Sequence, residues 1–274
     1  MTENRLPNRA DDLALLEWYR AAGVDLAVGE TPVDRFVAPV RAEAPAIAAT
    51  MPQRGAPPEA PPPPPVALLR DDGTEARALA EAAGTLDALR AAMEAYEGCG
   101  LKKRATQLVF ADGNPEAQIM IVGEGPGAEE DREGRPFVGA AGQLLDRMLS
   151  AIGLDRTNVY IANMVPWRPP GNRDPSPEEL AQCAPFLIRQ VELVAPKFLL
   201  TLGNTPTRAL FSTTLGITRL HGQWRDLEVG RHRCRALATF HPAYLLRTPS
   251  AKGLAWADLL DFEAAIHLTE TGER

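Results

Sequence analysis

The chain has 274 residues, 45% of them hydrophobic and 24% charged, enough for one substantial core with further elements around it. No run of about 18 apolar residues occurs, so no membrane-spanning helix is expected, and the opening "MTENRLPNRADD" lacks the basic-then-apolar pattern of a secretory leader. Three scattered cysteines, Cys99, Cys183 and Cys234, do not make a disulfide framework and suit a reducing cytoplasm. The net charge of −7 originates in the front third, where residues 1–98 carry 9 Lys+Arg against 16 Asp+Glu. The neutral remainder leaves room for a local basic face turned to phosphates.

In chain order, "DDLALLEWYRAAG" predicts a short amphipathic helix, capped by Asp11 or Asp12 and ended by Gly23, within an N-terminal helical extension over 1–51. Residues 52–65, "PQRGAPPEAPPPPP", predict an extended linker, because proline this dense supports neither helix nor sheet ladders. The main domain is expected over 66–274. Thr85 to Gly98 predicts a helix with Leu86, Leu89, Met93 and Tyr96 on one stripe.

Beyond it, "AQIMIV", "NVYIANM", "KFLLTLG" and "RCRALATF" predict buried strands. "AAGQLLDRML", "SPEELAQCAPFLIRQVELV", "NTPTRALF" and "SAKGLAWADLLDFEAAIHL" predict helices. This alternation predicts an α/β fold, three layers αβα, around a mostly parallel four-stranded sheet. In such sheets ligands bind at the carboxyl ends of the strands.

The first strand runs into "GEGPGAEEDREGRPFVG", Gly123 to Gly139. Gly123, Gly125 and Gly127 resemble part of a dinucleotide fingerprint, but Glu129, Glu130 and Asp131 would repel a pyrophosphate and the next helix is expected only at about Val138. The turn is better read as letting the backbone pass close to a flat ligand, with Phe137 presenting its ring.

Four stretches, "VGEGPGAEEDREGRPFVGAAGQLLDRML", "NVYIANMVPWRPPGNRDPSPEELAQCAPFL", "HGQWRDL" and "TFHPAYLLRTPSAKGLAW", together resemble the family 4 uracil-DNA glycosylases over roughly Tyr96 to Ala265. The resemblance implies an enzyme that flips uracil out of single- or double-stranded DNA and hydrolyses its N-glycosidic bond with no lyase step; a monomer is expected, since a wedge-and-pocket enzyme on DNA needs no partner. A flipped base needs a π-platform, which Phe137 can supply, and its Watson–Crick edge must be read. The Asn163 amide offers a donor and an acceptor matching uracil O4 and N3–H. His241 would donate to O2 as negative charge builds there, helped by backbone N–H groups of Gly125 to Gly127. By the resemblance, Glu124 orients or deprotonates the attacking water. Glu130 would lie near uracil C5 and exclude the thymine methyl, a role Glu129 or Asp131 could share. Leu245 and Leu246 are candidate wedges for the emptied stack, one of them expected to pack inward. Arg168, Arg173, Arg247 and Lys252 are candidate phosphate contacts.

The family's iron–sulfur cluster uses four cysteines. Here Cys99 and Cys183 keep two positions, while Tyr96 and Trp167 stand at the others. Neither aromatic is a usual ligand for such a cluster, so the expectation is a chain without cluster or other metal, its volume filled by packing. The alternative function is a protein that holds uracil-DNA or the abasic product with slow turnover. "MVPWRPPGNRDPSPEEL" lacks the histidine-bearing insert of a relative that traps DNA covalently.

Overall fold

The computed structural model describes residues 73–271. The helix expected at 11–22 and the linker at 52–65 lie outside the described residues. The helices are α1 (Thr74–Ala82), α2 (Leu86–Ala95), α3 (Ala128–Glu133), α4 (Ala140–Ser150), α5 (Pro177–Val194), α6 (Asn204–Leu210), α7 (Ile217–Leu220), α8 (Pro242–Arg247) and α9 (Lys252–Thr271). The strands are β1 (Asp112–Gly113), β2 (Ile119–Gly123), β3 (Tyr160–Asn163), β4 (Phe198–Leu202), β5 (Trp224–Val229) and β6 (His232–Thr239).

The strands form one sheet in the order β1-β3-β2-β4-β6-β5. The central four, β3, β2, β4 and β6, are parallel, as the alternation of apolar runs predicts. Two antiparallel edge strands are added to them, β1 against β3 and β5 against β6.

Every residue of β2, β3 and β4 is buried, as expected of strands covered on both faces. Side chains alternate between the faces. Met120, Val122 and Leu199 pack with Leu187, Val191 and Val194 of α5. Ile119, Ile121 and Leu200 pack with Leu145 and Leu149 of α4 and Leu259 and Phe262 of α9. These are the three layers. A third cluster joins α1 and α2 to α5, with Leu89, Met93, Tyr96, Trp167 and Phe186 at its centre.

One local expectation is overturned. A helix begins at Ala128, immediately after the glycine-rich turn, rather than near Val138. The acids that argue against a pyrophosphate also favour a helix N-terminus, where negative side chains meet unpaired N–H groups. Glu130 accepts from the N–H of Gly127 at 3.0 Å and so closes that end.

Two devices fix the strand ends. Ser176 and Glu179 bond reciprocally to each other's backbone N–H and cap α5. Asp258 of α9, 4% exposed, accepts from the Thr239 hydroxyl at 2.7 Å and lies 3.1 Å from His221 Nδ1, anchoring the end of β6 two residues before His241.

Candidate active site

The carboxyl ends of the four parallel strands meet in register. Gly123 of β2 pairs with Asn163 of β3, and Leu202 of β4 pairs with Thr239 of β6. A cavity of about 780 Å³ opens above them, lined among others by Glu124, Gly125, Gly127, Glu130, Phe137, Asn163 and His241.

Gly123 shows how tightly the site is built. A Cβ there would come within 2.5 Å of both Asn163 Oδ1 and Phe137 Cζ, so the ring and the amide share the space a side chain would need. The rings of Phe137 and His241 lie 5.6 Å apart at 30°. Phe137, Asn163 and His241 therefore converge on one cavity. Asn163 is 7% exposed, and its amide oxygen meets no partner among the described residues. A buried acceptor left open is costly, on the order of 1–3 kcal/mol, unless a ligand completes it.

Phe137 sits at φ +55°, in the left-handed region that a bulky residue rarely adopts. Arg156 holds it there, a residue that the sequence reading missed. Its guanidinium donates to the carbonyls of Pro136, at 3.1 Å, and Phe137, and is itself paired with Asp112 at 2.6 Å and Asp146 at 2.9 Å. No motif marks Arg156, because it reaches the loop from 19 residues away.

His241 caps α8. Its Nδ1 accepts from the N–H of Ala243 at 3.1 Å, which leaves the ring proton on Nε2. Burial, reinforced by the charge of Arg247 and opposed by Glu130, lowers its pKa to about 4. At neutral pH the ring is thus an uncharged donor. Burial raises the pKa of Glu124, a shift opposed by a hydrogen bond from Thr205 and reinforced by Asp174. Glu124 is a carboxylate made more basic than one in water.

Glu130 lines the cavity with both oxygens engaged. Oε2 accepts from Gly127 N–H, and Oε1 from the N–H groups of Val138 at 3.0 Å and Gly139 at 2.9 Å. It ties the glycine turn to the Phe137 loop as a fixed wall. The amide of Gly127, expected to assist at the leaving oxygen, is occupied by this carboxylate. Of its neighbours, Asp131 is taken up by the backbone N–H and hydroxyl of Thr106 and does not share the role, whereas Glu129 lines the cavity.

The expected DNA contacts divide. Arg173 and Arg247 line the cavity, Arg173 also forming a bidentate pair with Glu179 at 2.6 and 2.7 Å. Arg168 does not line the cavity itself but bonds Asn172, which does, and Lys252 lies beside Trp256 at a separate apolar hollow. Leu245 is 1% exposed and part of the core, which removes it as a wedge, while Leu246 is 42% exposed.

Cys99 and Cys183 are both buried, with their sulfurs 3.6 Å apart. Around them the Tyr96 and Trp167 rings lie 6.4 Å apart, and Tyr96 packs edge-on against Phe186 at 5.1 Å. No group of three or more His, Cys, Asp or Glu side chains suited to a metal occurs among the described residues. Two thiols walled in by aromatic rings do not fit a cluster that uses four thiolates.

A model of the uracil DNA glycosylase superfamily matches residues 110–260. The chain is 42% identical over 160 residues to the type-4 uracil-DNA glycosylase of Archaeoglobus fulgidus, covering 56% of this chain and 79% of that protein. It is 44% identical over 153 residues to the type-4 uracil-DNA glycosylase of Thermotoga maritima, covering 56% and 78%. For that of Sulfurisphaera tokodaii the identity is 38% over 179 residues, covering 64% and 81%. With a family match across more than half its length, the chain belongs to the uracil DNA glycosylase superfamily.

Proposed function

We propose that the chain is a monofunctional uracil-DNA glycosylase, acting on single- and double-stranded DNA as a monomer and leaving an abasic site. The observation that carries this reading is the buried, unpartnered amide oxygen of Asn163, set beside the Phe137 ring in the cavity that His241 lines.

A base must leave the stack to be reached. Phe137 then stacks on the flipped uracil. Asn163 Oδ1 accepts from N3–H and its NH₂ donates to O4; cytosine, with an acceptor at N3 and a donor at C4, reverses both contacts. Glu130, rigid in its cage of N–H groups, stands at C5 and excludes a methyl. As the C1′–N1 bond breaks, its electron pair goes to the base and charge collects at O2, where His241 Nε2–H donates. Water oxygen bonds to C1′, and the water proton passes to Glu124. Because His241 is uncharged at neutral pH, it stabilises the leaving anion by hydrogen bonding rather than by giving up a proton.

Leu246 fills the gap in the duplex, and Arg168, Arg173, Arg247 and Lys252 hold phosphates. Tyr96 and Trp167 occupy the volume of the family's cluster, and the chain functions without one. Purified protein that is colourless and free of stoichiometric iron agrees with this; brown protein with bound iron refutes it.

The decisive assay incubates the protein with end-labelled uracil-containing oligonucleotide, cleaves abasic sites with alkali and counts turnovers. Multiple turnovers are expected. A stoichiometric shifted band without turnover would instead identify a protein that holds its DNA.

A further inference from the structure

We propose that Thr205 is a positioning residue for this chemistry: its hydroxyl, donating to Glu124 Oε2 at 2.6 Å, fixes the carboxylate so that Oε1 faces the attacking water. The proposal rests on the reading of Glu124 as the group that takes the water proton.

Glu124 leaves β2 and Thr205 is the second residue of α6, beyond the end of β4, so the bond joins two adjacent strand ends across 81 positions of sequence. Gly203, at φ +88°, makes the turn into α6. A Cβ there would stand 3.0 Å from His241 Cβ, so the backbone carrying Thr205 is pressed against the residue that faces the leaving base. Threonine is β-branched and stiff at χ1, and its partner is a carboxylate half-sheltered from water. A single fixed donor on one oxygen sets the plane of that carboxylate and leaves the other oxygen as the open acceptor.

The same bond governs the protonation of Glu124. The charged and titratable groups lining the cavity with it are Arg173 and Asp174 from the loop before α5, Arg208 of α6, Glu129 and Glu130 of α3, and His241 with Tyr244 and Arg247 at α8. Arg173 is paired with Glu179, and Glu130 with backbone N–H groups. Burial and Asp174 push Glu124 towards the neutral form, and the Thr205 hydroxyl is the hydrogen bond that opposes them. A hydrogen bond to the charged form favours that form. Without it the carboxylate both swings and holds its proton to higher pH.

The test compares wild type, T205S, T205V and E124Q in single-turnover uracil excision across pH, with Kd for uracil-DNA and thermal midpoints measured alongside. T205V is expected to lose roughly tenfold or more in rate, with Kd and midpoint near wild type and the acid limb of the pH profile moved upwards; T205S is expected to recover both rate and limb. T205V with the wild-type rate and limb, or with a weakened Kd as its sole defect, would overturn the proposal. Wild-type rate in E124Q would overturn it through its premise. Failure of the wild type itself to release uracil would instead count against the proposed activity.

Discussion

At the scale of single residues, the site works by holding polar groups in states that water would not choose. His241 is uncharged because burial and Arg247 disfavour its proton, and the Ala243 N–H bond dictates which nitrogen keeps one. His241→Ala removes the donor proposed for O2 and is expected to lower the excision rate by roughly 10²–10³. Asn163→Ala should lose most of the rate too, since base recognition goes with it. With its pKa near 4, His241 contributes no limb around pH 6.5 in the rate profile. If Glu124 takes the water proton as proposed, the acid limb belongs to it and should fall above the ordinary glutamate range, because burial raises that group and it must be ionised to accept a proton. Stability follows the same logic with a definite sign. As the pH falls from about 6.5 to about 4, the unfolded chain protonates His241 while the folded one does not, so stability is lost across that window. Denaturant midpoints at pH 7 and pH 5 should therefore drop more for wild type than for His241→Gln.

At the scale of elements, loops at the strand ends carry the chemistry, and helices hold the loops. The Phe137 loop rests in an unfavourable backbone conformation because Arg156 grips its carbonyls and Glu130 its following N–H groups. Such strain persists where the surroundings over-determine it. Arg156→Leu is expected to release the loop, weakening uracil-DNA binding roughly tenfold while melting by only a few degrees lower, as checked by titration and calorimetry. The two leucines of α8 make a paired test. Leu246→Ala should slow excision from duplex more than from single strands, because only the duplex needs its gap filled. Leu245→Ala should cost about 2–5 kcal/mol in stability, because it empties a core position, and its effect should not depend on strandedness. The sequence led to the expectation that one leucine of α8 packs inward; packing decided that it is Leu245. Phe137, Asn163 and His241, which converge on the cavity, could be proposed from sequence because each stands in a motif at or after the carboxyl end of a strand. Arg156 and Thr205 were not, since their roles arise from contacts between segments far apart in sequence.

At the scale of the whole molecule, the parallel core was readable because its strands are short, largely apolar runs, continuously buried in β2, β3 and β4. The edges were not: β1 has two residues, and β5, "WRDLEV", is half-exposed and carries charges in the middle. The region where α1 and α2 meet α5 is packed around two buried thiols. There Trp167, 1% exposed, and Tyr96, 2% exposed, surround Cys99 and Cys183. An iron–sulfur cluster binds such segments by metal–thiolate bonds; on the proposed cluster-free reading apolar packing does so here, and packing is felt atom by atom. Trp167→Ala should therefore destabilise the protein by about 3–5 kcal/mol, seen as a lower denaturant midpoint, with amide exchange accelerating first in α1 and α2. Cys183→Ala removes a small buried thiol and should cost far less. If the ranking were inverted, with Cys183→Ala unfolding the protein and Trp167→Ala nearly neutral, the cysteines would be holding something, and the packing account would fail.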